Sequence, residues 1–142
     1  MADRRTLGAD FARALANKDA AGMRRLFAPE IDFRAMTPRR TWEAQDPEAV
    51  LAIVFGHWFD QDDRIESLEH VETDGFADRE RVGYRLSVSN SEGRFLVEQQ
   101  AYLSAGEGQG DGDGDGEGGG EGDGDKIAWM RMLCSGYRPV AE

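Results

Sequence analysis

One run of residues constrains this chain more than any other. Residues 106–125 contain only glycine, aspartate, glutamate and a single glutamine, and they separate two stretches that both read as strands of one sheet. That placement makes the run an insert in a loop. Glycine loses much backbone entropy on ordering and the acids repel one another, so the insert is expected to be disordered. Closing the sheet across it is cheap: lengthening a ~4-residue turn to ~20 residues costs about 1.4 kcal/mol, because loop entropy grows logarithmically. Without it about 120 residues remain, the size of one domain. The expected organisation is therefore a single domain over 1–142 with a low-complexity acidic insert at 106–125.

The insert also explains the charge. The chain has 28 acids and 17 basic residues; eight acids and no base lie in 106–125, which leaves 20 acids against 17 bases elsewhere. The folded part is nearly neutral, and its arginines come as isolated pairs (Arg24 with Arg25, Arg39 with Arg40). No basic stripe supports nucleic-acid binding. Asp111, Asp113, Asp115 and Gly116 match the first half of a calcium loop. The second half fails, because Gly122 stands where the closing acid belongs and strands flank the run. No metal site is expected there.

At 39% hydrophobic residues, with three Trp, seven Phe and three Tyr, the chain can fill one core. No stretch approaches the ~18 consecutive apolar residues of a membrane span. Residues 1–16 alternate charged and apolar side chains, so no secretory leader is expected and a cytoplasmic location is the default. The single cysteine, Cys134, excludes an intrachain disulfide.

Periodicity changes midway. Leu7, Phe11, Ala14 and Leu15 recur at helical spacing and predict a helix over 6–17. Asp19 reads as the cap of a second helix carrying Met23, Leu26 and Phe27, stopped by Pro29. A short strand follows at 31–36, then a loop at 37–40 leading to Trp42. Asp46, Pro47 and Glu48 open a third helix over 47–59. Strands are predicted at 65–73, 79–89, 94–104 and 126–134, with Asn90-Ser91-Glu92-Gly93 as a hairpin turn. Alternation puts Val82, Tyr84, Leu86 and Val88 on one face of their strand and Arg81, Arg85, Ser87 and Ser89 on the other. Likewise Phe95, Val97, Gln99, Ala101 and Leu103 face inward. In the last strand two sets compete for the core: Met130, Met132 and Cys134, or Trp129, Arg131 and Leu133.

This order of segments resembles the nuclear-transport-factor-2-like, SnoaL-like superfamily. The resemblance covers residues 6–139 without the insert. It rests on the apolar helix ending Phe55-Gly56-His57-Trp58-Phe59 and on the closing strand Lys126-Ile127-Ala128-Trp129-Met130-Arg131. The ending Cys134-Ser135-Gly136-Tyr137-Arg138-Pro139 is similar to that of uncharacterised bacterial members. The resemblance implies an α+β cone, in which a curved antiparallel sheet wraps the N-terminal helices and leaves an apolar pocket at its open end. It also implies a small apolar ligand, no metal or organic cofactor, and a homodimer through the outer sheet face, where Trp129 and Tyr102 would sit. Members include ketosteroid isomerases, polyketide cyclases, epoxide hydrolases, dehydratases and non-catalytic association domains, and the fold does not choose among them. Neither the isomerase carboxylate base with its acidic donor pair nor the hydrolase carboxylates bridged by arginine can be placed on this chain.

The candidate site residues follow from these faces. His57 lies three and four residues after Val54 and Ile53; it is either a packed core histidine or an acid–base group. His70 is an acid or base if it faces inward and a surface residue if it faces outward. Gln99 is the one polar side chain in an apolar row, which suits it to a substrate carbonyl, a water or a bond to Tyr84. Tyr84 offers a phenol to a developing oxyanion, or packs. Trp42, Trp58, Met130 and Cys134 are candidate substrate-lining residues, with core packing as the alternative. Nothing beside Cys134 in the sequence activates its thiol. Two functions from different classes are consistent with this set: a small-molecule-binding domain with proton-transfer chemistry of the isomerase, cyclase or dehydratase type, and a non-catalytic dimerisation module.

Overall fold

Each helix begins where a side-chain oxygen takes up an orphan backbone donor. A computed structural model of the chain describes residues 6–105 and 126–140. Helix α1, Leu7–Ala16, is capped by the Thr6 hydroxyl, which accepts from the Ala9 N–H, and α2, Ala20–Arg25, is capped by Asp19 through the Gly22 N–H. Helix α3, Pro47–Leu51, starts with the Asp46 carboxylate accepting from the Ala49 N–H at 2.8 Å. It continues as a wider π-helical turn, Ala52–Trp58, closed by the Phe59 N–H donating to the Val54 carbonyl at 2.8 Å. The sequence predicts one α-helix over 47–59, since a π turn uses the same residue types.

The strands are β1 (Phe27–Thr37), β2 (Arg40–Ala44), β3 (Arg64–Phe76), β4 (Arg79–Asn90), β5 (Gly93–Ala105), β6 (Ile127–Cys134) and β7 (Arg138–Pro139). They form one sheet in the order β2-β1-β6-β5-β4-β3, with β7 pairing the start of β5. All pairs are antiparallel except β1 with β6, which is parallel. Register shifts at Ile65/Ser67, Glu69/Glu72 and Ser104/Ala105 mark irregularities of the kind that bend strands.

Two sequence expectations need correcting. Helix α2 ends at Arg25, and Phe27 is already the first residue of β1, which takes Pro29 into the strand near an irregularity in its pairing with β6. The loop expected at 37–40 is a tight connection into β2, which pairs with β1 from Phe33↔Ala44 to Thr37↔Arg40. The acidic run 106–125, expected to be a disordered insert, lies outside the described residues.

Helices α1, α2 and α3 line the concave side of the sheet. Phe11, Leu15, Met23, Phe33, Leu86 and Met130 are among the side chains fully buried between the layers. Gly8 lets α1 ride on β4: a Cβ there would stand 2.7 Å from the Val82 Cβ, and the Gly8 N–H donates to Glu80 Oε2 at 2.8 Å. In β6 the core takes Met130 and Met132, while Leu133 points outward at 49% exposure. Among the described residues no helix is long and apolar enough to cross a membrane.

Candidate functional site

The hairpin turn fixes the central feature of the concave face. Asn90 pairs with Gly93 across a two-residue loop, so counting back along both strands puts Tyr84 opposite Gln99, and β6 puts Cys134 on the other side of Gln99. The three side chains form one polar row across three adjacent strands. Tyr84 OH donates to Gln99 Oε1 at 2.6 Å, and Gln99 Nε2 donates to Cys134 Sγ at 3.2 Å. Gly136 N–H also reaches Cys134 Sγ, at 3.4 Å.

The row is desolvated. Gln99 is 3% exposed, Tyr84 4%, and Cys134 is half-buried. Burial pushes the Tyr84 phenol well above its ordinary range, with the neighbouring Cys134 adding to the effect. Burial likewise raises the Cys134 thiol, against the pull of the donors from Gln99 and Gly136. Both groups are neutral at physiological pH, so the row can donate and accept hydrogen bonds but offers no anion.

Aromatic side chains cluster in the same core. Trp58 is 8% exposed and its indole Nε1 has no hydrogen-bond partner. It packs on Phe33 at 6.4 Å between ring centroids and meets Trp42 edge-on at 6.1 Å. Trp42 is half-buried, donates its Nε1 to Thr37 Oγ1 at 2.9 Å, and carries the Arg40 guanidinium over its ring at 3.6 Å. Tyr137 stacks on Phe59 at 5.9 Å, leans on Phe95 at 5.4 Å, and donates its hydroxyl to the Trp58 carbonyl at 2.7 Å. Burial is the main cause that raises the Tyr137 phenol, with Asp63 and Asp60 nearby acting in the same direction.

The structure thus brings Tyr84, Gln99 and Cys134 together, and Trp42 with Trp58. Met130 is fully buried core. His57 is exposed at the end of the π turn, its ring 5.2 Å from that of Trp42, and so is no packed core histidine. His70 is also exposed, in the β3 irregularity, with a positive φ of 56°. It borders a depression of about 420 Å³ on the outer face, lined by Glu72, Arg85, Glu98 and Gln100 together with Tyr84, Gln99 and Cys134. The sequence did not single out Tyr137 or Arg40 as site residues. The glycine before Tyr137 was the available signal of a turn that aims it.

A second depression of about 490 Å³ lies on the same outer face, between Met36, Tyr102, Arg131 and Leu133. Across this face Arg85 and Glu98 form a cross-strand ion pair, with Arg85 Nε 3.4 Å from Glu98 Oε2. Among the described residues no group of three His, Cys, Asp or Glu is placed to hold a metal ion.

A curved sheet closed by helices on one side has counterparts among solved structures. No protein-family model and no curated protein matches the sequence. A proposed isomerase from Rhodopseudomonas palustris superposes with a TM-score of 0.61 at 15% identity, covering 93% of this chain and 91% of that one. A proposed isomerase from Bacillus subtilis gives 0.61 at 11% identity, covering 88% and 81%. An NTF2-like protein from Burkholderia xenovorans gives 0.58 at 13% identity, covering 91% and 86%. The fold is therefore the nuclear-transport-factor-2-like fold that the sequence resemblance implied. At such identities the likeness carries architecture alone, and function has to be argued from the site.

Proposed function

We propose that this domain binds a small, largely apolar molecule with a neutral hydrogen-bonding group on the concave side of its sheet. The observation that carries this reading is the Trp58 indole N–H, buried without an acceptor in the same interior as the Tyr84–Gln99–Cys134 row. A buried donor left unpaired costs about 1–3 kcal/mol, a cost that a ligand carbonyl or ether oxygen would remove. Aromatic walls suit a flat partner. Isomerase, cyclase or dehydratase chemistry requires a base, and the row contains neither carboxylate nor imidazole, so recognition is better supported than proton abstraction. His57, at the exposed edge of Trp42, is the imidazole on which a catalytic version of this reading would depend.

The test is a thermal-shift screen of the intact protein against apolar ketones, steroids and aromatic polyketides. A binding compound raises the melting temperature of the wild type, and its affinity falls at least about tenfold, roughly 1.4 kcal/mol, in Gln99→Leu and Trp58→Phe. Stabilisation that survives both substitutions places binding elsewhere and overturns the reading.

The outer face supports a second reading, association with another copy of this chain. Met36 is 52% exposed and Leu133 49%, and they border one groove. Arg34, Glu43 and Arg131 also line it, so both signs of charge are present for a self-complementary contact. Sedimentation equilibrium should then give a dimer that Leu133→Asp converts to monomer; a wild-type monomer at all concentrations rejects this reading.

A further inference from the structure

A glycine leaves a gap in the charged outer face of the sheet. Along β4 the outward positions include Arg81, Gly83, Arg85 and Ser87, and only Gly83 among them lacks a side chain. Two cross-strand rows frame the gap: Glu69, Arg85 and Glu98 in one, and Glu72, Gly83, Gln100 and Leu133 in the next. Successive outward residues of a strand stand about 7 Å apart, so one small molecule can reach both rows. On β3 the register slips between the two rows, at Glu69/Glu72, and there His70 takes a φ of 56°. That left-handed conformation is costly for a residue with a side chain, and such strain gathers at functional sites. The bulge sets His70 and Glu72 on the border of the depression of about 420 Å³. This volume falls within the ~300–1,000 Å³ of small-molecule sites.

The charged groups around the depression are unequally engaged. Arg81 lies against Gly83, its Nη1 3.1 Å from where a Cβ would stand. It is occupied, donating to both Asp74 carboxylate oxygens at 2.9 and 3.1 Å and to Gln100 Oε1 at 3.2 Å. Glu98 is shared between Arg85 at 3.4 Å and Arg138 at 3.3 Å. Arg85 differs. Among the described residues its guanidinium donates no hydrogen bond, and its Nε is buried without one although Glu98 Oε2 stands 3.4 Å away. Glu72 accepts no hydrogen bond either; its ion-pair contact among the described residues is Arg81 at 3.6 Å, and its side chain is 72% exposed. A guanidinium fork with unused donors suits a carboxylate, which it can hold through two parallel bonds. An exposed carboxylate suits an ammonium. An anion alone would meet the repulsion of Glu72 and Glu98, and a cation alone that of Arg81 and Arg85. A molecule that carries both signs avoids each penalty.

We propose that this depression binds a free α-amino acid, its carboxylate on Arg85, its ammonium on Glu72 and its side chain against Leu133. Leu133 is 49% exposed on the border of the depression, which favours an aliphatic side chain. The inference is independent of the concave-side reading, because Arg85, Glu72 and Leu133 all stand on the outer face. It also concerns a place distinct from the groove beside Met36, with which the depression shares only Gln100 and Leu133.

The test is an NMR titration of the isotopically labelled, full-length protein at neutral pH, following the amides of Gly83, Arg85, Glu98 and Gln100. Three ligands are compared: L-leucine, isocaproate, which is leucine without its amino group, and isoamylamine, which is leucine without its carboxylate. Leucine should shift these amides saturably and bind at least about tenfold more tightly than either half-molecule. Arg85→Gln and Glu72→Gln should each weaken leucine by about tenfold or more, with the remaining amide spectrum unchanged. The two variants should also lose opposite discriminations. In Glu72→Gln leucine and isocaproate should bind within about twofold of each other, and in Arg85→Gln leucine and isoamylamine should do so. The absence of a saturable leucine shift, or saturable shifts only at amides away from Gly83, overturns the proposal. So does equal wild-type affinity for leucine and either half-molecule, or undiminished leucine affinity in either variant.

Discussion

The two faces of β4 and β5 are built from alternate residues of the same strands, yet they handle polarity in opposite ways. On the concave face Tyr84 and Gln99 are buried, uncharged and satisfied by each other and by Cys134. On the outer face Arg85 pairs with Glu98 and Arg81 with Asp74, the carboxylates exposed and the guanidinium groups partly so. Water can replace a partner on the outer face and cannot do so inside. The same chemical deletion therefore has unequal consequences on the two sides, and the concave row is specified far more tightly by its neighbours than the outer charges are.

Substitution at Gln99 breaks the comparison most sharply. Gln99→Leu fills the same volume but leaves the Tyr84 hydroxyl and Cys134 thiol without their partner, and should lower stability by about 1–3 kcal/mol, read from the urea midpoint at constant m-value. Stability against pH separates the faces by sign. The Tyr84 and Cys134 groups are raised in the folded state, so their contribution is complete below the ordinary thiol and phenol ranges and is lost as pH rises through the folded values. Asp74 is held below its ordinary range by the hydrogen bond from Arg81, so its contribution is present above that range and is lost in acid. Urea midpoints measured across pH should fall on the alkaline side in the wild type and fall less in a Cys134→Ala variant; an equal alkaline fall in both would remove the thiol from the account. The smallest effect is expected outside, where Arg85→Gln should cost about 0–1 kcal/mol and less in high salt.

The contrast between faces was legible in the sequence because one face of β4 and β5 is buried, which turns alternation into a strong signal. The register was legible too, since the two-residue turn at Asn90–Gly93 forces Tyr84 opposite Gln99. Strand β2 was not: it has five residues, and only Trp42 and Ala44 face inward. Pro29 misled because proline is the usual stop for a helix, and its tolerance inside β1 depends on a pairing irregularity with a strand 100 residues away in sequence. Of the site, the Tyr84–Gln99 bond was readable as one alternative, whereas Tyr137 meets the Trp58 carbonyl across 79 residues and no local pattern announces it. The orientations of His57 and His70 depend on a π turn and a strand irregularity, both decided by tertiary packing.

Among the described residues the last long strand in chain order is a central one in the sheet. Strand β6 lies between β1 and β5, so a chain emerging from the ribosome as far as residue 105 holds two separate partial sheets, β2-β1 and β5-β4-β3, each with an unsatisfied edge. Neither can complete its ladder until residues 127–134 arrive between them, one side parallel and the other antiparallel. Nascent chains truncated before Ile127 should therefore be vulnerable to protease and prone to edge pairing, and cooperative folding should begin only when the final strand is free to enter the gap.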